Sequence, residues 1–300
     1  MNKLSLKLVG AASLVVIIFV AACATHQSFL PGAAPKSDWP RKQVMVMPAR
    51  NLTELPSEQL GDTVSNELTS ALRKSGSFVV YREQRSNPTH LLKIGNPIDP
   101  ELLKAAQDRG INALVFETLN PIEVNLVRRG IWPFRRRAQR FTVSLSIDIV
   151  DANTTALILS DEFPKDVTFS GQEIRTETEQ TPYAARKQRA VNECLPKILK
   201  ETARSVSRAL NRHGWIGRIV SLDGEGIVVN AGRDAGLRPG VVFEVFCATE
   251  CITSCTGQTY DLPGPKVGEI KIVTLKARRC LAQVIQGAGF ETGQLVRVKD

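Results

Sequence analysis

Cysteine offers the most reactive chemistry in this 300-residue chain, and its six copies fall at Cys23, Cys194, Cys247, Cys251, Cys255 and Cys280. Cys23 closes the small-residue run Val20-Ala21-Ala22, directly after an apolar stretch over residues 8–20 that follows Lys3 and Lys7. A membrane-spanning helix needs roughly 20 apolar residues. The shorter run here therefore reads as a removable export signal over residues 1–22, with Cys23 opening the mature chain. Cys247, Cys251 and Cys255 recur at every fourth residue. Structural zinc takes cysteines with about two to four residues between them and about four ligands in all, which these three with Cys280 could supply. An iron–sulfur cluster fits poorly with export into an oxidising space. A disulfide closing a loop between strands suits that space better. The pairing chosen is Cys247 with Cys255, with Cys251 or Cys280 as alternative partners because spacing does not fix connectivity.

A second unusual stretch is Arg128-Arg129-Gly130-Ile131-Trp132-Pro133-Phe134-Arg135-Arg136-Arg137, in which two large rings and an isoleucine sit among five arginines. At a hairpin tip such a surface docks on a partner or dips into the interface of an anionic leaflet. Its arginines would pair phosphate or carboxylate in bidentate fashion. The alternative is that Trp132 and Phe134 fold back over a sheet, leaving the arginines as a solvated rim. A membrane-spanning strand needs about 9–11 residues with an apolar face, and five arginines so close together oppose that, so no pore is expected. Catalytic constellations are missing from the sequence. His26, His90 and His213 are too scattered to make a metal pair on one helix face. Gly232, Gly236 and Gly240 lie among Arg and Pro in a strand-rich segment, not at the strand-to-helix junction that a phosphate loop requires. The chain reads as non-enzymatic, without metal or dissociable cofactor.

The elements that must carry these residues follow from periodicity. Residues 43–48 (QVMVMP) form a short apolar strand, and Leu60, Val64, Leu68 and Leu72 mark one stripe of a helix over about 57–75 that Gly76 ends. Residues 78–82 are a second strand. Asp99 as N-cap and Pro100 as first helical residue open a helix that Gly110 closes, and 111–119 is a third strand. Strand, helix, strand, helix, strand predicts an α/β sheet with crossover connections. Residues 123–128 and 139–151 then pair as a long hairpin, with 154–159 following the turn at Asp151, as antiparallel edge strands. Residues 165–182 are polar and unpatterned, which predicts a flexible surface loop. A long helix over 184–212 carries Cys194 on its core-facing stripe. After His213-Gly214-Trp215, six short strands (217–222, 226–230, 240–246, 267–275, 280–285 and 294–299), with Asp223-Gly224 supplying the left-handed positions of a tight hairpin and Leu237-Arg238-Pro239-Gly240 the next turn, predict a small all-β barrel or sandwich.

Composition agrees with a globular chain, 43% hydrophobic and 23% charged. The expected organisation is a signal over 1–22, a tether over 23–42, an α/β domain over 43–213 with a mixed sheet and flanking helices, and a β domain over 214–300. Loss of Lys3 and Lys7 takes the 39 basic residues to 37 against 30 acidic ones, a net +7. In an exported protein that charge meets lipid head groups, lipopolysaccharide phosphates and cell-wall polymers, so nucleic acid is not an expected partner.

The Cys23 site resembles a bacterial lipobox, which implies diacylation of its thiol, cleavage before it and N-acylation of the new terminus. Ala24, where an Asp would favour inner-membrane retention, implies outer-membrane sorting facing the periplasm. With Cys23 used for lipid, five cysteines remain, so at least one is free or intermolecular. The segment VMVMPARNL, LGDTVSNELTSALRKSG and FVVYRE, with SIDIVDANTTALILSDEF, resembles the α/β fold shared by the TolB N-terminal domain, the curli lipoprotein CsgG and the penicillin-binding-protein activator LpoB. WIGRIVSLDGEGIVVNAGRDAGLRPGVVFEVF is similar to the C-terminal domain of the flagellar protein FlgT. These resemblances imply a scaffold part of a flagellar basal body or curli-type secretion apparatus, with envelope proteins as partners and self-association into a homo-oligomer. Two other roles stand beside it: a lipoprotein activator of a peptidoglycan synthase, and a cysteine-dependent metal or redox protein.

Overall fold

The computed structural model describes residues 40–55, 58–83, 98–170, 183–253 and 259–299, the side chains of 58, 170 and 248–263 excepted. Cys23, the export signal, the tether as far as residue 39, His26, His90 and Cys255 lie outside the described residues.

Strand β1 (Lys42–Val46) is buried along its whole length, as a strand covered on both faces must be. It pairs in parallel with β3 (Phe78–Arg82) on one side and β4 (Ala113–Leu119) on the other, Val44 lying opposite both Val80 and Ala113. Parallel neighbours require crossovers, and these contain α1 (Glu58–Lys74) and α2 (Pro100–Asp108). The predicted α1 stripe of Leu60, Val64, Leu68 and Leu72 is buried. The Asp99 carboxylate accepts from Glu101 N at 2.9 Å and caps α2 as expected. A two-residue strand that periodicity does not reveal, β2 (Arg50–Asn51), pairs in parallel with the end of β4.

The antiparallel part is built on one long strand. β6 (Arg136–Asp151) takes β5 (Glu123–Arg129) and β4 in succession along one edge, and β7 (Leu157–Ser170) along the other. The polar segment expected as a loop from residue 165 is a strand as far as Ser170: Lys165 lies opposite Val143 and Phe169 opposite Gln139. Its polarity has a period of two, with Phe163 and Phe169 buried and Glu162, Pro164 and Asp166 exposed. One-sided burial of an edge strand is thus what the unpatterned composition concealed. Residues 171–182 lie outside the described residues.

Helices α1 and α3 (Tyr183–Arg212) cover one face of the sheet, where Val64, Leu68, Phe141, Leu145, Ile147, Ile198 and Val206 form the main core. Helix α2 covers the opposite face at β1 and β4, over Met45, Leu114 and Phe116. Among the described residues, no helix is long and apolar enough to cross a membrane.

The C-terminal strands β8 (Gly217–Asp223), β9 (Gly226–Val229), β10 (Val242–Thr253), β11 (Thr259–Leu275), β12 (Cys280–Gly287) and β13 (Leu295–Val298) close as a barrel in the order β10-β11-β12-β9-β8-β13. Closure settles barrel against sandwich and leaves no open sheet edge around the ring. Trp215 stacks on Phe243 at 5.7 Å within its core. Two local expectations change. The turn after β8 is held by the Asp223 carboxylate, which accepts from Glu225 N and Gly226 N at 3.1 and 3.0 Å, and the positive φ falls at Gly226 instead of Gly224. The strand expected to stop at residue 246 runs on through Cys247 and Cys251 to Thr253, paired with β11.

Candidate functional site

The ribbon of β5 and β6 carries the arginines and rings. Arg128 lies opposite Arg137 and Arg129 opposite Arg136, so the ladder ends in two like-charge cross-strand pairs. Such pairs cost about 0.2–1 kcal/mol each relative to neutral ones. Between them Gly130 turns the chain at φ +108°, where an added Cβ would lie 2.9 Å from Phe134 O. Phe134 N donates to Ile131 O at 2.7 Å, and the Trp132–Pro133 peptide is cis. The rings do not fold back: Ile131, Trp132 and Phe134 are 86, 78 and 81% exposed. Leu126, two residues below Arg128 on the same face, is 78% exposed and was not singled out by the sequence. None of Arg128, Arg129, Arg135, Arg136 and Arg137 forms an ion pair among the described residues; acid first enters at Arg140, which meets Asp166 at 3.8 Å.

A second constellation joins the α/β body to the barrel. Lys42 Nζ donates to Leu210 O at 2.6 Å and to His213 O, capping the C-terminal end of α3. Burial pushes the Lys42 ammonium down to about 8, with the Asp151 carboxylate opposing part of that fall. Asp151 Oδ2 lies 2.9 Å from His213 Nε2, while its Oδ1 accepts from Asn153 N and Thr154 N at 2.7 and 2.9 Å. Asn112 Oδ1 accepts from Gln43 N at 2.8 Å and its Nδ2 donates to Ile216 O at 2.5 Å. Asn230 Nδ2 donates to Gln107 O at 2.8 Å, and Arg218 donates to Asn153 O at 2.7 Å. An aspartate–histidine pair resembles half of a catalytic triad, but both oxygens of this Asp151 are engaged in the turn and the seam, so its geometry is that of a clasp.

A third feature lies under α1. Glu117 on β4 is 1% exposed, with Oε2 at 2.8 Å from Ser65 Oγ and Oε1 without a partner among the described residues. Burial pushes its carboxyl up to about 8, against the lowering effects of Ser65 and Arg82.

Two of the described thiols are core groups. Cys194 is buried on α3 as predicted, and burial raises its thiol. Cys280 is buried in the barrel and is pushed up to about 12. Thiols so held are poor nucleophiles and poor metal ligands. Cys247 is a free, half-buried thiol in β10, and its expected partner Cys255 lies outside the described residues. Among the described residues no group of three or more His, Cys, Asp or Glu is placed to hold a metal.

No family model matches the chain, and no characterised protein sequence matches it. Among solved structures it is similar to the PelC dodecamer from Paraburkholderia phytofirmans at 13% identity, over 57% of this chain and 94% of that one, with a TM-score of 0.28. It is similar to a minor lipoprotein from Acinetobacter baumannii at 10% identity, over 58% of this chain and 95% of that one, with a TM-score of 0.26. Similarity to TolB from Acinetobacter baumannii is 13% over 84% of this chain but 48% of TolB, with a TM-score of 0.27. The architecture is established by the strand pairing described above and not by these likenesses.

Proposed function

We propose that this protein is a non-catalytic, lipid-anchored envelope scaffold that faces the periplasm from the outer membrane and makes its contact through the β5–β6 tip. The observation that carries the reading is the exposure of Ile131, Trp132 and Phe134 inside a collar of arginines that form no ion pair among the described residues. A fold gains nothing from such a ladder end: the apolar groups stay in water and the like charges repel. A contact made elsewhere supplies the compensation. Anchoring through Cys23 rests on the lipobox resemblance, and the resemblances of the two domains point to a flagellar basal-body ring or a curli-type secretion apparatus as the assembly.

The test places a photo-crosslinking amino acid at residue 132 in growing cells, with residue 160, exposed on β7, as the control position. Adducts at 132 and few at 160 are expected. Equal yields at both positions overturn the reading of the tip as the contact surface. Labelled palmitate on the wild-type chain and none on Cys23→Ala tests the anchor. Recovery of a cell-wall synthase in place of flagellar or secretion components would move the role to synthase activation.

A further inference from the structure

The geometry points to a specific occupant for the tip, given that the tip is the contact surface: a bilayer leaflet bearing anionic phosphodiester head groups, into whose interface Ile131, Trp132 and Phe134 insert. Three features of the ribbon select this over an acidic protein surface.

The first is symmetry of charge. Neighbouring residues of a strand point to opposite faces, so Arg128 and Arg137 stand on one face of the ribbon and Arg129 and Arg136 on the other. The collar therefore surrounds the apolar apex instead of lining one side of it. A planar anionic surface meets all four arginines at once when the apex enters it. A protein cleft would have to be acidic on two opposite walls.

Size is the second. A fully exposed large side chain offers about 150–250 Å², so the apex supplies on the order of 500 Å². That falls short of the roughly 800 Å² per partner of a standard protein interface. A leaflet requires no matching shape. Insertion of a few apolar groups backed by several cations is sufficient for interfacial binding.

The third is the kind of side chain. Tryptophan combines an apolar body with an N–H that stays hydrated, which suits the head-group level. Arginine stems lie along the acyl boundary while the guanidinium forks reach phosphate oxygens. Leu126, exposed below Arg128, lies where a deeper contact would next reach.

The experiment uses the full lipidated protein reconstituted in two sets of vesicles, one of phosphatidylcholine and one also containing phosphatidylglycerol, each with acyl chains brominated near the interface. The lipid anchor holds the protein on both sets, so anchoring is read separately from insertion. The chain has three tryptophans, and subtracting the emission of Trp132→Phe isolates the Trp132 signal. In the anionic vesicles that signal is expected to shift to the blue and to be quenched by bromine. It should stay unquenched in phosphatidylcholine, and high salt should reverse the effect. Each Arg→Ala change at 128, 129, 136 or 137 should weaken insertion about fivefold, the effect of one juxtamembrane cation. No quenching in anionic vesicles, or equal quenching in both sets, overturns the inference. Protein adducts at residue 132 in cells without quenching in vesicles would overturn the leaflet and leave the contact surface intact.

Discussion

Replacing Glu117 by Gln tests whether the carboxyl under α1 is neutral in the folded protein. The folded-state value of about 8 lies above the ordinary 4.5 because the group is buried. Between those two values the folded state holds a proton that the unfolded chain has released, so wild-type stability falls as pH rises through that window. At about 1.4 kcal/mol per unit, the loss reaches roughly 5 kcal/mol by pH 8 and about 3 kcal/mol by pH 7. Below pH 4.5 both states are protonated and the contribution is fully present. Glutamine is neutral throughout, fills the same volume and keeps an oxygen for Ser65 Oγ. The assay is urea unfolding from pH 4.5 to 8.5, followed by the fluorescence of buried Trp215. The two proteins should have similar midpoints at the acid end. Glu117→Gln should then pull ahead steadily as pH rises. Parallel curves for the two proteins across the whole range would refute a buried neutral carboxyl.

Three further outcomes follow from the seam and the tip. Lys42→Met should lose about 2 kcal/mol, since it strips a buried donor from Leu210 O and His213 O. Because the Lys42 value is lowered, the unfolded chain binds the extra proton between about pH 8 and 10.5, and wild-type stability should rise through that window while Lys42→Met shows no such gain. Gly110→Ala forces a side chain onto φ +76° and brings its Cβ to 2.1 Å from Asn230 O. It should cost about 2–4 kcal/mol and unseat the barrel, read as new tryptic cleavage between α3 and β8. Arg129→Glu turns the repulsive pair with Arg136 into an attractive one, so thermal unfolding should move up by the equivalent of about 0.5 kcal/mol while insertion into anionic vesicles weakens.

What was legible in the sequence was whatever a single element declares by itself. The stripe of Leu60, Val64, Leu68 and Leu72, the Asp99–Pro100 start of α2 and the ring-and-arginine segment all announce their placement through local spacing or capping. The alternation of Lys165, Val167 and Phe169 was harder to see, because an edge strand with one wet face carries few apolar residues and its register is supplied by β6. Pairing with β11 also extends β10 past residue 246, where regularly spaced cysteines carry no strand signal of their own. The seam was invisible for a different reason. Lys42, Asp151 and His213 are separated by more than 60 positions from one another, and each is an ordinary residue until the fold brings them together.

The tip and the seam are two ends of one strand. β6 begins at Arg136 in the collar and finishes at Asp151 in the clasp, and at roughly 3.3 Å per residue it spans about 50 Å. Along that length it is paired on both edges, by β5 and then β4 on one side and by β7 on the other. A strand held in this way does not bend at a hinge, so the orientation taken by the tip against a surface is passed to Asp151. From there His213, the α3 terminus capped by Lys42 and the Ile216 carbonyl held by Asn112 and Asn153 pass it to the barrel. The proposed scaffold role needs this property, because a lipid on Cys23 would by itself fix distance from a membrane but not direction. The proposed anchor and the proposed inserted tip would together fix both, and the barrel, clasped to the far end of the same strand, would be presented at a set angle to whatever it meets.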